Sequence, residues 1–123
     1  MQPFEQISII GVGLLGGSLG LACKSQGLAK RVVGYGRSRD NLEKARKLNA
    51  IDDYSTDLND AVKGADLIVL CTPVCSFKPL VEKMLPFVKP GTILTDVGSV
   101  KAQVVREIES LVPRTIYFVG AHP

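Results

Sequence analysis

Residues 11–16 of the chain read Gly11-Val12-Gly13-Leu14-Leu15-Gly16, which is a complete G-x-G-x-x-G motif. An apolar run at 7–10 precedes the motif and predicts a strand, and residues 14–26 follow it with the pattern of a helix. In this setting Gly11 permits a tight turn, Gly13 lets the backbone approach a pyrophosphate, and Gly16 allows close packing. The pyrophosphate would lie at the helix N-terminus, where free N–H groups and the helix dipole attract an anion. The motif therefore predicts a dinucleotide-binding loop made of Gly11, Gly13, Leu14, Leu15 and Gly16.

Two other interpretations of this motif remain open. Glycine-rich turns are common, so the loop could be a tight strand-to-helix turn without a ligand. Flavin enzymes also use the same fingerprint. The strand before the motif, the helix after it and a further strand soon afterwards favour dinucleotide binding over an empty turn.

Strand-like and helix-like segments alternate from one end of the 123 residues to the other, which is the pattern of a parallel sheet. Strands are predicted at 7–10, 31–35, 51–54, 66–71, 91–95 and 115–119, and helices at 14–26, 39–48, 58–62, 77–85 and 100–111. Ser38, Asp57 and Ser99 are suited to cap three of these helices, and Gly27 is suited to end the first. We therefore expect one dinucleotide-binding domain over 1–123, with the α/β fold of the Rossmann type: a doubly wound, mostly parallel six-stranded sheet with helices on both faces.

Composition excludes several classes of partner. Hydrophobic residues make up 46% and charged residues 22% of the chain, and the net charge of +3 comes from scattered Lys and Arg residues. This composition predicts no nucleic-acid partner and no membrane association. The apolar run at 7–23 lacks a basic start and is interrupted by glycines, so we expect a cytoplasmic protein without a signal peptide. Three cysteines without C-x-x-C spacing and a single histidine predict reduced thiols and no metal site.

The loop after the second predicted strand bears on cofactor choice. Carboxyl ends of parallel strands share one edge of the sheet, where open α/β sheets bind their ligands. This loop reads Gly36-Arg37-Ser38-Arg39 and lacks the acidic residue that usually accepts hydrogen bonds from the adenosine ribose of NAD. Arg37, Arg39 and the Ser38 hydroxyl could instead hold a ribose 2′-phosphate, so the cofactor is predicted to be NADP or NAD, with NADP favoured. The alternative is that Ser38 only caps a helix and that both arginines are solvated.

Three further loops at the same predicted edge carry chemically suggestive residues. Cys71-Thr72-Pro73 would pass the cofactor ribose and nicotinamide, although a plain turn explains them equally well. Ser99 follows the fifth strand, and His122, the only histidine, follows the sixth. An imidazole at this edge suits proton transfer from a substrate alcohol. We therefore predict Ser99 and His122 as catalytic residues, against the alternatives that Ser99 only caps a helix and that His122 is a structural or surface residue.

These segments, taken in order, resemble the prephenate and arogenate dehydrogenase family. The resemblance lies in the runs at 9–19, 70–73, 95–101 (Thr-Asp-Val-Gly-Ser-Val-Lys) and 120–123 (Gly-Ala-His-Pro), and it covers essentially the whole chain. It implies an NAD(P)-dependent oxidative decarboxylation in tyrosine biosynthesis, with prephenate or arogenate as the small-molecule substrate. It also implies that His122 hydrogen-bonds the ring hydroxyl and acts as base, and that Ser99 assists. The choice between the two substrates stays open.

The resemblance further implies a C-terminal helical domain that dimerises and completes the substrate pocket. No such domain follows Pro123 in this sequence, so we expect the 123 residues alone to bind cofactor without turnover and the full-length protein to be a homodimer. Two rival functions remain. One is a different NAD(P)-dependent reductase or β-hydroxyacid dehydrogenase, and the other is a non-catalytic dinucleotide-sensing module.

Overall fold

A computed structural model describes residues 2–72, 76–97 and 102–120 of the chain. Strands and helices alternate along it. In chain order the elements are β1 (Phe4–Ile10), α1 (Leu14–Ser25), β2 (Ala29–Tyr35), α2 (Arg39–Lys47), β3 (Asp53–Ser55), α3 (Leu58–Val62), β4 (Leu67–Leu70), α4 (Phe77–Met84), a 3₁₀ helix (Leu85–Phe87), β5 (Ile93–Asp96), α5 (Ala102–Leu111) and β6 (Tyr117–Val119).

The six described strands form one sheet in the order β3-β2-β1-β4-β5-β6, and every neighbouring pair is parallel. The chain therefore starts in the middle of the sheet, proceeds outward to β3, and then crosses back to β4 beside β1. Strand order reverses between β1 and β4, which is where doubly wound sheets bind their ligands. The predicted Rossmann-type fold is confirmed.

The sheet separates two hydrophobic cores because successive side chains of a strand point to opposite faces. Ile7 and Ile9 of β1 are buried on the face covered by α1 and α2. Ile10 is buried on the other face, against residues of α3, α4 and α5. Full burial of such an aliphatic side chain is worth about 1.5 to 3 kcal/mol. β1 therefore has isoleucines buried on both faces of the sheet, as is typical of a central parallel strand, although it also contains the buried polar residues Gln6 and Ser8.

Several element boundaries differ from the sequence-based expectation by about two residues, and turns account for the differences. β5 begins at Ile93 because Thr92, just before it, is held in a turn: its hydroxyl donates to the carbonyls of Ala65 and Lys89. β3 begins at Asp53 because α2 ends in a turn at Asn49, whose φ is 65°, and Ile51 then packs into the core. The 3₁₀ helix at Leu85–Phe87 was not predicted.

The predicted helix signals are found where the structure describes them. The Ser38 side chain caps α2 by accepting from the Asn41 amide at 3.2 Å, and Asp57 caps α3 by accepting from the Asn59 amide at 3.1 Å. Gly27 follows the end of α1 with a φ of 64°. Ser99, predicted to cap the last helix, lies outside the described residues. Within the described ranges no helix is both long and apolar enough to cross a membrane.

Candidate cofactor-binding site

Two glycines of the G-x-G-x-x-G motif, one in the loop after β1 and one in the first turn of α1, are required by the fold itself. Gly11 has a φ of 99°, and a Cβ there would lie 2.7 Å from Cγ2 of Thr72. Its amide donates to the Tyr35 carbonyl at 2.9 Å, which ties the loop to the end of β2. A Cβ on Gly16 would overlap the Gly11 carbonyl oxygen, so α1 can approach the loop only without a side chain there.

Gly13 differs, because a Cβ built on it would meet no atom of the described chain within 4 Å. Gly13 is the N-cap residue of α1, and as a glycine it has no side chain with which to cap this helix end. The first N–H groups of a helix, here including those of Leu14 and Leu15, lack partners within the helix. The loop therefore offers open space and free N–H donors at the same point, as an anion such as a pyrophosphate requires.

A cleft of about 760 Å³ extends from this loop along the carboxyl edge of β1, β2 and β4. Its walls include seven residues that the sequence predicted for cofactor binding: Gly11, Gly13, Gly36, Arg37, Ser38, Cys71 and Thr72. Gly16 is buried beneath the loop. The predicted phosphate loop and the predicted β2 loop thus border one cavity at the point where strand order reverses.

The wall formed by the end of β2 and the start of α2 differs in one respect from the sequence-based expectation. Arg37 and Ser38 line the cleft together with Asn41, whereas Arg39 is not among the lining residues. The pKa of Tyr54 is raised chiefly by its hydrogen bond with Glu43, and the nearby charge of Arg39 opposes that rise. Arg39 is exposed at the start of α2, outside the residues that line the cleft.

The wall formed by the end of β4 contributes Cys71 and Thr72. Burial, and secondarily the charge of Asp96, raises the pKa of the Cys71 thiol to about 11, so this cysteine is a neutral thiol at neutral pH and no nucleophile. The Thr72 hydroxyl oxygen is buried and has no hydrogen-bond partner among the described residues. An unsatisfied buried hydroxyl costs about 1 to 3 kcal/mol, and a bound ligand could recover that cost.

Helix α4 forms part of the cleft that the sequence analysis missed. Ser76, Pro79, Leu80 and Lys83 line the cleft from this side. The core-facing residues of α4 were predictable from their helical spacing, but nothing in the sequence separates a residue that faces a cleft from one that faces bulk solvent.

The remaining predicted site residues lie outside the described part of the chain: Pro73, Ser99 and His122. The strands β4, β5 and β6, which lead to them, run parallel and end at one edge of the sheet. The roles predicted for these three residues stay predictions.

Three observations indicate that the cleft can hold a dinucleotide. The loop leaves space where a Cβ of Gly13 would stand, the N-cap residue of α1 has no capping side chain, and the Thr72 hydroxyl lacks a partner among the described residues. Together with the doubly wound sheet, these features define an NAD(P)-binding domain of the Rossmann type.

Comparison with known proteins identifies the family. The model of the prephenate dehydrogenase nucleotide-binding domain matches residues 19–123. The chain belongs to this family. It is 37% identical over 123 residues to the cyclohexadienyl dehydrogenase of Zymomonas mobilis. Among solved structures, it is similar to prephenate dehydrogenase from A. aeolicus in complex with hydroxyphenyl propionate and NAD+, with a TM-score of 0.86 and 30% identity. It is also similar to Synechocystis arogenate dehydrogenase, with a TM-score of 0.85 and 33% identity.

The chain is shorter than these relatives. All of it aligns with the Zymomonas and A. aeolicus proteins, and it spans 42% of each. It spans 40% of the Synechocystis protein, using 96% of its own length. The likeness therefore concerns the nucleotide-binding domain of these enzymes.

Proposed function

We propose that this chain is the cofactor-binding part of an enzyme that oxidises and decarboxylates prephenate or arogenate with NAD(P), in the biosynthesis of tyrosine. The observation that carries the proposal is the family match over 19–123, a region that includes the candidate catalytic residues Ser99 and His122. The cleft of the described structure supports it, because its loop and walls suit the pyrophosphate and adenosine ends of a dinucleotide.

In this proposal, some residues of the chain bind the cofactor and others transfer a proton from the substrate. The free N–H groups at the start of α1 would hold the pyrophosphate, and the Thr72 hydroxyl would donate to a ligand oxygen nearby. The nicotinamide, when bound, supplies the hydride acceptor. We assign His122 the role of base toward the ring hydroxyl of the substrate, with Ser99 assisting. The carboxylate at the opposite ring carbon would leave as carbon dioxide, and its bonding electrons would complete the aromatic ring as the hydride departs.

We further propose that the cofactor is NADP in preference to NAD. The support comes from the end of β2, where Arg37 and Ser38 line the cleft and the residues 35–38 include no carboxylate to accept from ribose hydroxyls. Arginine suits this position because its planar guanidinium can donate two parallel hydrogen bonds to a phosphate.

The whole protein, in our proposal, is a cytoplasmic homodimer with a helical domain beyond the cofactor domain. The support for the further domain is that the relatives in this family are more than twice as long as the region matched here. Light scattering on the whole protein would measure the mass of a dimer, and a monomeric mass at micromolar concentration would contradict this part of the proposal.

Turnover by the whole protein tests the proposed reaction. Reduced nicotinamide should form with prephenate or arogenate, and not with simple β-hydroxy acids. Replacing His122 by Asn should lower kcat by about 10² to 10⁴, because the proton acceptor is lost, while cofactor affinity changes little. Turnover of β-hydroxy acids alone would favour the rival dehydrogenase, and cofactor binding without turnover of any of these substrates would favour a sensing module. A His122→Asn enzyme with wild-type kcat would remove His122 from the mechanism.

A further inference from the structure

Helix α4 presents two distinct faces. Phe77, Val81 and Met84 are buried in the core. Pro79, Leu80 and Lys83 line the cleft, as does Ser76 at the helix N-cap. These four residues are spaced by three and four, so they share one side of the helix. Pro79 and Leu80 make the middle of this side apolar, and Lys83 places a cation at its far end.

Lys83 and Arg37 border the same cavity from opposite faces of the sheet. α4 packs in the core that contains Ile10, whereas α2, which follows Arg37, packs in the core that contains Ile7 and Ile9. Side chains of a helix lean toward its N-terminus, so Lys83 leans toward the carboxyl edge of the sheet, where the cleft opens. None of the ion pairs found among the described residues involves Lys83 or Arg37. Two cations that form no ion pair with the described residues therefore border one cavity.

The position of these cations along the cleft indicates which part of a dinucleotide they would meet. The pyrophosphate belongs at Gly11 and Gly13, and the adenosine extends from there past the end of β2. Arg37 and Ser38 lie at that end. The apolar side of α4, formed by Pro79 and Leu80, suits contact with an adenine ring. Lys83, at the far end of that side, suits contact with an anionic group of the adenosine. In NADP that anion is the 2′-phosphate, which NAD lacks.

We propose that Lys83 is a second cofactor-specificity residue, which contacts the adenosine 2′-phosphate of NADP from the α4 side of the cleft while Arg37 contacts it from the β2 side. This inference rests on the proposed NADP preference and adds a determinant that lies 46 residues further along the chain than Arg37. Lysine acts as a point charge without bidentate geometry, so its contribution is smaller than that of Arg37.

Calorimetric titration of the whole protein with NADP and with NAD tests this proposal. Lys83→Met keeps an unbranched, helix-compatible side chain and removes only the charge. It should weaken NADP binding about five- to tenfold and leave NAD binding unchanged. Lys78→Met is the matched control, because Lys78 lies on the same helix, is exposed and does not line the cleft. It should change neither dissociation constant.

The outcomes separate this inference from the proposed function. If the wild type binds neither nucleotide, the cofactor site itself is wrong. If the wild type prefers NADP and Lys83→Met leaves the ratio of the two dissociation constants unchanged, only the role of Lys83 is wrong. An equal loss of affinity for NADP and NAD would also overturn the proposed role of Lys83, since the lysine would then contact a part of the cofactor that both nucleotides share. Combining Lys83→Met with Arg37→Met should give non-additive losses for NADP, because both cations meet one phosphate.

Discussion

The loop after β1 and the loop after β2 border the same cleft but are built by different physical means. In the first, backbone geometry decides: Gly11 needs a positive φ, Gly16 must let α1 approach, and Gly13 leaves the cleft open. In the second, side chains decide: Arg37 lines the cleft whereas Arg39, two residues later, does not. A site formed by backbone geometry can be predicted from a short stretch of sequence, because it needs glycines at fixed positions. A site formed by side chains cannot, because the tertiary structure decides which side chains reach the cleft.

The largest effect that tests this contrast is expected for Gly13→Val. The new side chain would meet no described atom and the backbone at Gly13 is extended with a negative φ, so the fold should be retained. The side chain would nevertheless occupy the space of the pyrophosphate, so calorimetry should detect no binding of NADP or NAD.

Gly17→Ala is the control for that substitution. A Cβ on Gly17 also meets nothing within 4 Å, and Gly17 does not line the cleft. Alanine in a helix interior is favoured over glycine by about 1 kcal/mol, so this variant should be at least as stable as wild type and bind cofactor normally. A folded Gly13→Val protein with wild-type affinity would show that the loop does not hold the pyrophosphate.

An intermediate effect is expected in the β2 loop, for Arg37→Asp. The substitution removes a charge-assisted hydrogen bond worth about 1.5 to 3 kcal/mol and adds like-charge repulsion, so NADP affinity should fall at least about tenfold. NAD affinity should hold or rise, because the carboxylate can accept from the ribose hydroxyls. The measurement is the pair of dissociation constants at fixed low salt, since salt screens exposed charges.

Arg39→Asp gives the same change of charge two residues away and is the matched control. Because Arg39 does not line the cleft, the ratio of the NADP and NAD dissociation constants should change much less than with Arg37→Asp. Equal shifts in the two variants would mean that the net charge of the loop, and not the position of Arg37, sets cofactor preference.

The smallest effect is expected for Asp52, which lies between α2 and β3, and it concerns the free energy of unfolding. Asp52 accepts from Lys24 at 2.6 Å and from the Val32 amide at 2.8 Å. Burial raises the pKa of Asp52, but the hydrogen bonds from Lys24 and Val32 outweigh it and lower the pKa below its usual value. Asp52→Asn should reduce the free energy of unfolding by about 1 kcal/mol at neutral pH.

The pH dependence of that difference follows from the direction of the shift. A carboxylate with a depressed folded pKa contributes stability above its unfolded pKa of about 3.9, and the contribution disappears as the pH falls through the lower folded value. The gap between wild type and Asp52→Asn should therefore narrow below about pH 4. The adjacent Asp53→Asn, which breaks an exposed ion pair with Arg31, should cost less than about 0.5 kcal/mol. Urea unfolding with a constant gap down to pH 3 would contradict the account of Asp52.

The sequence predicted most of the fold because the signals were local and consistent. Apolar, β-rich runs marked the strands, and Ser38, Asp57 and Gly27 marked helix ends that the structure confirms. The boundaries of β3 and β5 were displaced by turns whose hydrogen bonds come from distant residues, such as that of Thr92 with Ala65. The glycine loop was also predictable, because its motif lies within six consecutive residues.

The candidate site was only partly predictable, because part of its wall comes from helix α4. Pro79, Leu80 and Lys83 carry no motif, and their role follows only from the packing of α4 in the core that contains Ile10. Arg37 and Arg39 are equally plausible phosphate ligands in the sequence, and only Arg37 lines the cleft. No local pattern contains that information.

A crystal structure of the protein with NADP bound tests the central claim most directly. The account predicts the pyrophosphate against the first N–H groups of α1, with no side chain between them and Gly13. It predicts the 2′-phosphate between Arg37 and Lys83, with the adenine against the Pro79 and Leu80 side of α4. Density for NADP outside this cleft, or an adenosine that touches neither the β2 loop nor α4, would contradict the account.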